Sequence, residues 1–440
     1  MKTTASEKKQ SEKTRSERME SEFTGARKVE IGDAKKDWRT GLRSVGKGVA
    51  AFAKGAGLAL AGLLAAGALG TARAAVDGEL VSLGRKTGVG ARAISLGEAF
   101  TAVADDYSAL YYNAAGMTQL TRSELGVNLS YGLFQNNASF ENGAPDRRTL
   151  ESTKLNALTM VLTDGGRWAL GIGYYTPVSF DDPLYFQAHG SQYVYDAEGQ
   201  MDHYRMGLAY MVNEQVSLGL AASAVGGKEQ LQIQDGNTVR YLEEYTGFNL
   251  EPSFLIHLSD MFSVGGSAVV VERLELTDTY QQQGGNPLES VYDIHHPFQA
   301  KLGISFQSGL TQVSADWHGD FWSSYSYNSA GDAFVNHDVH YPNKHTFNIG
   351  LEQHLDKRGP VLRLGYTWEN QDDARPQPDH RDPYRISAGF GFMPSKHVGL
   401  DFAYQYGGGR TLQNSQPGGP NDLRIDSEDH QVMAALRYRW

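Results

Sequence analysis

The sequence predicts an all-β fold, a transmembrane antiparallel β-barrel of about 14 strands preceded by a short helical segment. Three observations carry the prediction. Apolar and polar residues alternate over strand-length stretches, short and long connectors take turns along the chain, and the composition is rich in glycine and aromatics with no long apolar run in the body of the chain.

The alternation is clearest at the C-terminus, where Val432, Ala434, Leu436, Tyr438 and Trp440 interleave with Gln431, Met433, Ala435, Arg437 and Arg439. Successive side chains point to opposite faces of a strand, so one face here suits lipid and the other a wet lumen. The same period runs through Phe298–Phe306, Leu362–Trp368 and Val398–Tyr406. Such segments begin near residues 123, 153, 167, 201, 216, 245, 262, 291, 310, 344, 360, 384, 397 and 428, each long enough to cross a bilayer when tilted. Tight connectors such as Asp164-Gly165-Gly166, Asn213-Glu214, Ser308-Gly309 and Pro394-Ser395-Lys396 alternate with long polar ones at 134–152, 178–200, 227–244, 275–296, 322–343, 370–383 and 407–428. A barrel with periplasmic turns and extracellular loops requires that order.

Glycine supplies 50 of 440 residues and aromatics 11%, while hydrophobic residues reach only 40%, a polar average that follows when half of each strand faces water. A helical membrane protein would need apolar runs that this chain lacks. Cysteine is absent, which excludes disulfide staples, thiol catalysis and cysteine-ligated metal.

The N-terminal 74 residues read as an extended signal peptide. Residues 1–46 are polar and mixed in charge, a composition that does not fold alone. Residues 55–70 form a small-residue apolar stretch between Lys54 and Ala72-Arg73-Ala74, with cleavage expected before Ala75. Without these residues the chain holds 25 Lys+Arg and 43 Asp+Glu, a formal charge of −18 that argues against nucleic acid as a partner. The domains expected are thus 1–74, a segment 75–122, and a barrel over 123–440.

Segment 88–117 differs from the rest. Ile94, Leu96, Ala99, Phe100 and Val103 suggest a short helix ended by Asp105-Asp106, and Asn113-Ala114-Ala115-Gly116-Met117 follows. With Ala104-Asp105-Asp106, this stretch resembles the N-terminal hatch of the FadL/TodX (OMPP1) family of outer-membrane transporters for long-chain fatty acids and other hydrophobic compounds. Ala114 stands where that family carries proline, so the turn loses a backbone restraint. The resemblance extends to late segments such as Leu362–Tyr366 and Leu400–Tyr406, and covers roughly residues 80–440.

The resemblance implies a monomer whose hatch plugs the lumen, with Arg92, Asp105, Asp106, Asn113, Ala114, Ala115 and Gly116 in hatch anchoring or gating. It implies passive transport of a fatty acid or hydrocarbon, with lateral release beside a kinked third strand, where Gly171, Gly173 and Pro177 weaken pairing or simply give room. Phe180, Leu184, Tyr185 and Phe186 make connector 178–200 the most apolar, a capture surface or part of an aromatic girdle. A carboxylate ligand needs a cation. Lys301, Arg385 and Arg437 are the candidates among inward-phased cations that also include Arg205, Arg363 and Arg439, with Glu352, Asp316 and Asp401 as competing lumenal partners. The expected surroundings are outer-membrane lipid and, through the strand ending at Trp440, the barrel-assembly machinery of a Gram-negative cell.

No cofactor, metal or catalytic group is expected. Gly88-Val89-Gly90-Ala91-Arg92-Ala93 lacks a βαβ context for dinucleotide binding. His295-His296 and His337-Asp338-Val339-His340 lack a full ligand set. No nucleophile motif suits a barrel. Two other readings stay open at this level: a barrel that serves protein secretion or surface attachment, and an outer-membrane enzyme acting on lipid.

Overall fold

The computed structural model describes residues 85–140, 145–188, 191–234, 238–295, 298–322, 326–329, 343–356, 359–371, 381–413 and 423–440. The expectations for residues 1–84, and for His296, His337 and His340, lie outside them. The strands in chain order are β1 (Arg85–Lys86), β2 (Glu124–Phe140), β3 (Asp146–Thr163), β4 (Trp168–Ser179), β5 (Asp182–Ala188), β6 (Ser191–Met211), β7 (Val216–Gln234), β8 (Thr238–Ser259), β9 (Phe262–Val269) and β10 (Val271–Gln282). They continue with β11 (Leu288–His295), β12 (Gln299–Ser308), β13 (Thr311–Asp320), β14 (Ser326–Ser329), β15 (Lys344–His354), β16 (Val361–Gln371), β17 (Arg381–Phe392), β18 (Val398–Gln413) and β19 (Leu423–Arg439). Four crossings are each made of two successive strands: β4 with β5, β9 with β10, β11 with β12, and β13 with β14. The wall is therefore a closed antiparallel barrel of 14 strands, with β19 pairing β2 from Leu423↔Phe140 to Arg439↔Glu124.

The alternation read from the sequence sets the faces. Val432, Leu436, Tyr438 and Trp440 are exposed on the outer face of β19, whereas Gln431, Met433, Ala435 and Arg437 are buried inside. Leu302, Ile304 and Phe306 on β12, and Leu362, Leu364, Tyr366 and Trp368 on β16, are also exposed. A continuous apolar belt around a closed barrel is the surface that lipid covers. Near the short turns the belt carries aromatic pairs, among them Trp168 with Tyr210 (centroids 4.3 Å apart) and Tyr438 with Trp440 (6.0 Å), a girdle at one membrane interface. Among the described residues no helix is long and apolar enough to cross a membrane.

The strands run further than the sequence pattern indicates. Much of each long connector continues as paired strand: β3 starts at Asp146, β6 at Ser191 and β8 at Thr238. Connector 178–200 is accordingly a β5–β6 hairpin, with Leu184 paired to Tyr195 and Phe186 to Tyr193. The cause is visible on β3, whose exposed positions Arg147, Thr149, Glu151 and Thr153 are polar. Above the membrane the outward face meets water, so the apolar half of the alternation disappears while the backbone ladder continues.

Candidate functional site: the plugged lumen

Residues 87–120 fill the lumen, and nearly all of them are buried. The helix expected over Ile94–Val103 is only Ala91–Ser95. Gly97 (φ 62°) and Glu98 (φ 65°) adopt left-handed backbone and end it, since a right-handed helix cannot pass through that region. The chain then continues in turns, a second short helix, Ala109–Tyr112, and a 3-10 helix, Ala114–Gln119. Val89, Leu96, Phe100, Leu110, Tyr112 and Met117 pack into one apolar cluster with wall residues Ala157, Val161 and Tyr175.

Arg92 is the hub of the hatch. Its guanidinium donates to both Glu352 carboxylate oxygens, Nε at 2.8 Å and Nη2 at 3.0 Å, and also pairs with Asp105 and Asp106. Arg363 donates to Glu352 at 2.6 Å and to Asp401 at 2.8 Å, and Arg437 lies 3.6 Å from Asp401 and 3.9 Å from Asp106. Burial alone would push the Asp106 carboxyl up, but Arg92, Arg437 and the Ser108 hydroxyl hold it below the usual carboxylate range. Arg92, Asp106 and Arg437 thus meet in one buried network that ties hatch to wall, and the half-exposed Asp105 joins it from the side through Arg92. Arg437 is engaged there, and not in the lumenal cavity described below.

At Asn113–Gly116, where no proline restrains the backbone, the side chain of Asn113 holds the turn. It accepts from Ala115 N at 3.1 Å and donates to Thr101 O and Phe254 O, each at 2.8 Å, fixing the turn and stitching it to β8. The wall approaches the hatch at backbone distance. A Cβ built on Gly365 would stand 2.0 Å from Gly97 N, and one on Gly219 2.3 Å from Ala115 N. Of the two glycines expected on the third crossing, a Cβ on Gly171 would meet hatch side chains and one on Gly173 the Tyr175 ring of the wall itself. Both keep their ladder partners on β3 and β6, and Gly171 makes room for Met117 and Leu110. They do not interrupt β4.

Above the hatch lies a cavity of about 140 Å³. Its apolar end is formed by Phe180, stacked on Tyr245 with centroids 5.4 Å apart, together with Leu274, Ile294, Val178 and Met201. Phe180 is 2% exposed and turned inward, so it is part of the lumen and no outer capture surface; Tyr185, Leu184 and Phe186 stand on β5 and their side chains lie outside the described ones. At the polar end the Lys301 ammonium is 3.4 Å from Glu251 and 5.3 Å from the centre of the Tyr111 ring. Arg205 donates to the same Glu251 at 2.5 Å and to Leu110 O at 2.8 Å, and Lys86 pairs with Asp320. Each cation reaching this cavity thus has a protein carboxylate beside it, with Arg205 and Lys301 sharing Glu251 and Lys86 on Asp320, and Glu98 also in the lining. Arg385 is on β17 opposite Gly407 and does not line it. The sequence reading overlooked Glu251, whose inward phase with Ser253 and Leu255 on β8 is the signal that would have found it.

Beside the cavity the wall has a seam. β4 pairs with β3 only from Ala169↔Thr163 to Tyr175↔Ala157, although β3 continues to Asp146 along β2. At Tyr175/Val178 the register against β6 slips at Thr176 and Pro177, and proline has no N–H to give a ladder. Beyond this point β1 occupies the edge of β4, with Lys86 opposite Val178 and Arg85 opposite Ser179, and Thr87 N donates to Pro177 O at 2.9 Å.

Residues 67–267 match the model of the family described as outer membrane protein transport protein (OMPP1/FadL/TodX). No curated protein matches the chain significantly. Among solved structures, a Pseudomonas aeruginosa FadL homologue superimposes with a TM-score of 0.62 at 15% identity, over 81% of this chain and 99% of that one. The Ralstonia pickettii toluene transporter TbuX gives 0.60 at 16% identity, over 80% and 98%. The CymD monoaromatic hydrocarbon channel gives 0.56 at 16%, over 81% and 98%. At such identities these likenesses show a shared fold.

Proposed function

From the premise that this chain is a hydrophobic-compound transporter barrel of the OMPP1/FadL/TodX type, we propose that it carries small neutral hydrophobic molecules across the outer membrane of a Gram-negative cell and releases them sideways through the seam between β3 and β4. The observation that carries this reading is the cavity above the hatch. It is apolar at the Phe180 end, and its cations are already paired with Glu251 and Asp320. A ligand carboxylate entering there would have to displace an existing buried partner, whereas a neutral ring displaces only water. Size points the same way. A cavity near 140 Å³ is comparable to the roughly 150 Å³ engineered cavity that accepts benzene, so one aromatic ring fits and a long acyl chain does not lie wholly inside.

Lateral release suits such a cargo, because a molecule passing from cavity to lipid need not re-enter water. The break in β3–β4 pairing and the Pro177 bulge support the position of that exit. The test is uptake of radiolabelled toluene and radiolabelled laurate by cells lacking their own transporters of this kind, with and without this chain. Saturable toluene uptake that excess laurate does not compete away is expected. Uptake of laurate alone would move the substrate to fatty acids, and uptake of neither would refute transport.

A further inference from the structure

Main-chain pairing between β3 and β4 stops at Ala157↔Tyr175, yet the wall at the seam is not left unjoined. The Lys154 side chain of β3 reaches across it. Its ammonium lies 2.7 Å from Asp181 Oδ2, and donates to Ser179 Oγ at 2.8 Å and to Gly199 O at 3.0 Å. Asp181 is held on its far side as well: Ser179 Oγ donates to Oδ2 at 2.6 Å and Gly199 N to Oδ1 at 3.3 Å. Both charged groups are largely buried, with side chains 15% and 8% exposed. Ser152 of β3 also hydrogen-bonds the Asp181 carboxylate, and Thr176 Oγ1 of β4 donates to Leu155 O at 3.2 Å. Three acceptors thus converge on one ammonium at the place where the ladder is missing, next to Phe180 and the cavity it lines.

We propose that Lys154 and Asp181 form the clasp of the lateral exit: an ion pair that stands in for the absent ladder, keeps the seam closed between passages, and lets β3 and β4 part when it breaks. The inference rests on lateral release as proposed above. The chemistry fits a reversible closure. A ladder of several backbone bonds opens only by cooperative unzipping, whereas a single side-chain pair opens by one rotamer change and its charges can rehydrate at the rim. Lys154 and Asp181 are positioning residues here, since neither needs to touch the cargo.

The experiment uses the full chain in outer membranes and radiolabelled toluene, with heat-modifiable gel mobility confirming a folded barrel for every variant. Lys154→Met and Asp181→Asn are each expected to raise uptake at least about threefold, as removal of a bond that stabilises the closed state shifts the closed–open balance. The exchange Lys154→Asp with Asp181→Lys should return it towards the starting rate. Because the chain has no cysteine, Lys154→Cys with Asp181→Cys can be bridged by a short thiol-specific crosslinker. Bridging should abolish uptake, and cleaving the bridge should restore it. Single variants and swap all at the starting rate, with bridging still blocking, would overturn the clasp and leave lateral release standing. Unimpeded uptake through the bridged seam would overturn lateral release and the clasp together.

Discussion

Replacing Arg92 by methionine should loosen the hatch without opening the barrel. Arg92 holds Glu352 through two charge-assisted bonds at 2.8 and 3.0 Å and also pairs with Asp105 and Asp106, and its side chain is only 9% exposed. Loss of one member of a buried ion pair costs about 3–5 kcal/mol, because the partner charges stay buried. Glu352 keeps Arg363 and Asp106 keeps Arg437, so the low end, about 3 kcal/mol, is the better figure. At about 1.4 kcal/mol per tenfold, the hatch should populate its undocked form about a hundredfold more often. Hydrogen exchange followed by mass spectrometry reads this directly: peptides over residues 89–120 should exchange about a hundredfold faster. Peptides from β16 to β18 should not change. A double variant, Arg92→Met with Glu352→Met, should recover part of the loss, as removing both charges avoids stranding one. Unchanged protection over the hatch in Arg92→Met, or faster exchange spread over the whole barrel, would refute the view of Arg92 as a local anchor.

Further outcomes follow from the same geometry. Gly365→Ala puts a methyl carbon against the Gly97 backbone and should cost the docked hatch about 1–3 kcal/mol; Gly226→Ala, where the nearest atom would be 3.9 Å away, is the control, and protease sensitivity of the hatch compares them. Asn113→Ala loses its contacts to Ala115 N, Thr101 O and Phe254 O, about 2–4 kcal/mol at a net of roughly 1 each, again visible as faster hatch exchange. Acid should release the hatch. The Asp106 carboxyl is held below its usual range, so its contribution is complete above about pH 4 and is lost as pH falls through the lowered value, which a pH series of hatch proteolysis would record. Phe180→Ala removes a stacked ring from the cavity, about 1 kcal/mol, and should weaken toluene binding about fivefold in a fluorescence or calorimetric titration.

The barrel was legible in the sequence because its physics is periodic. Wherever lipid covers the wall, as along Leu362–Trp368 or Val432–Trp440, alternation marked both the strand and its faces. Above the lipid the same ladder carries polar residues on both faces, so Arg147–Thr153 read as connector although it is strand. In the hatch, residue identity pointed to Arg92, Asp105 and Asp106, since buried charges need partners that sequence phase can suggest. Arg92 pairs with Asp105 and Asp106 inside the hatch, but the wall partners, Glu352 on β15 and Arg437 on β19, lie hundreds of residues away and only closure of the barrel brings them in. The helix was overestimated because left-handed backbone at Glu98 carries no compositional mark. Weak pairing on β4 was expected at Gly171, Gly173 and Pro177; the ladder holds at the two glycines and slips at Thr176–Pro177, and Lys154 gave no local sign of reaching across.

The glycines lining the wall have a consequence for how plug and wall move together. Where Gly365 meets Gly97, and Gly219 meets Ala115, no side chain lies between plug and wall that could swing aside, so the docked position has no slack there and backbone must meet backbone. The last residues of the hatch lead directly into β2, and β2 is the strand on which β19 closes. A plug so tethered is a continuation of the strand that seals the wall, so whatever shifts it at these contacts pulls on the closing pair of strands.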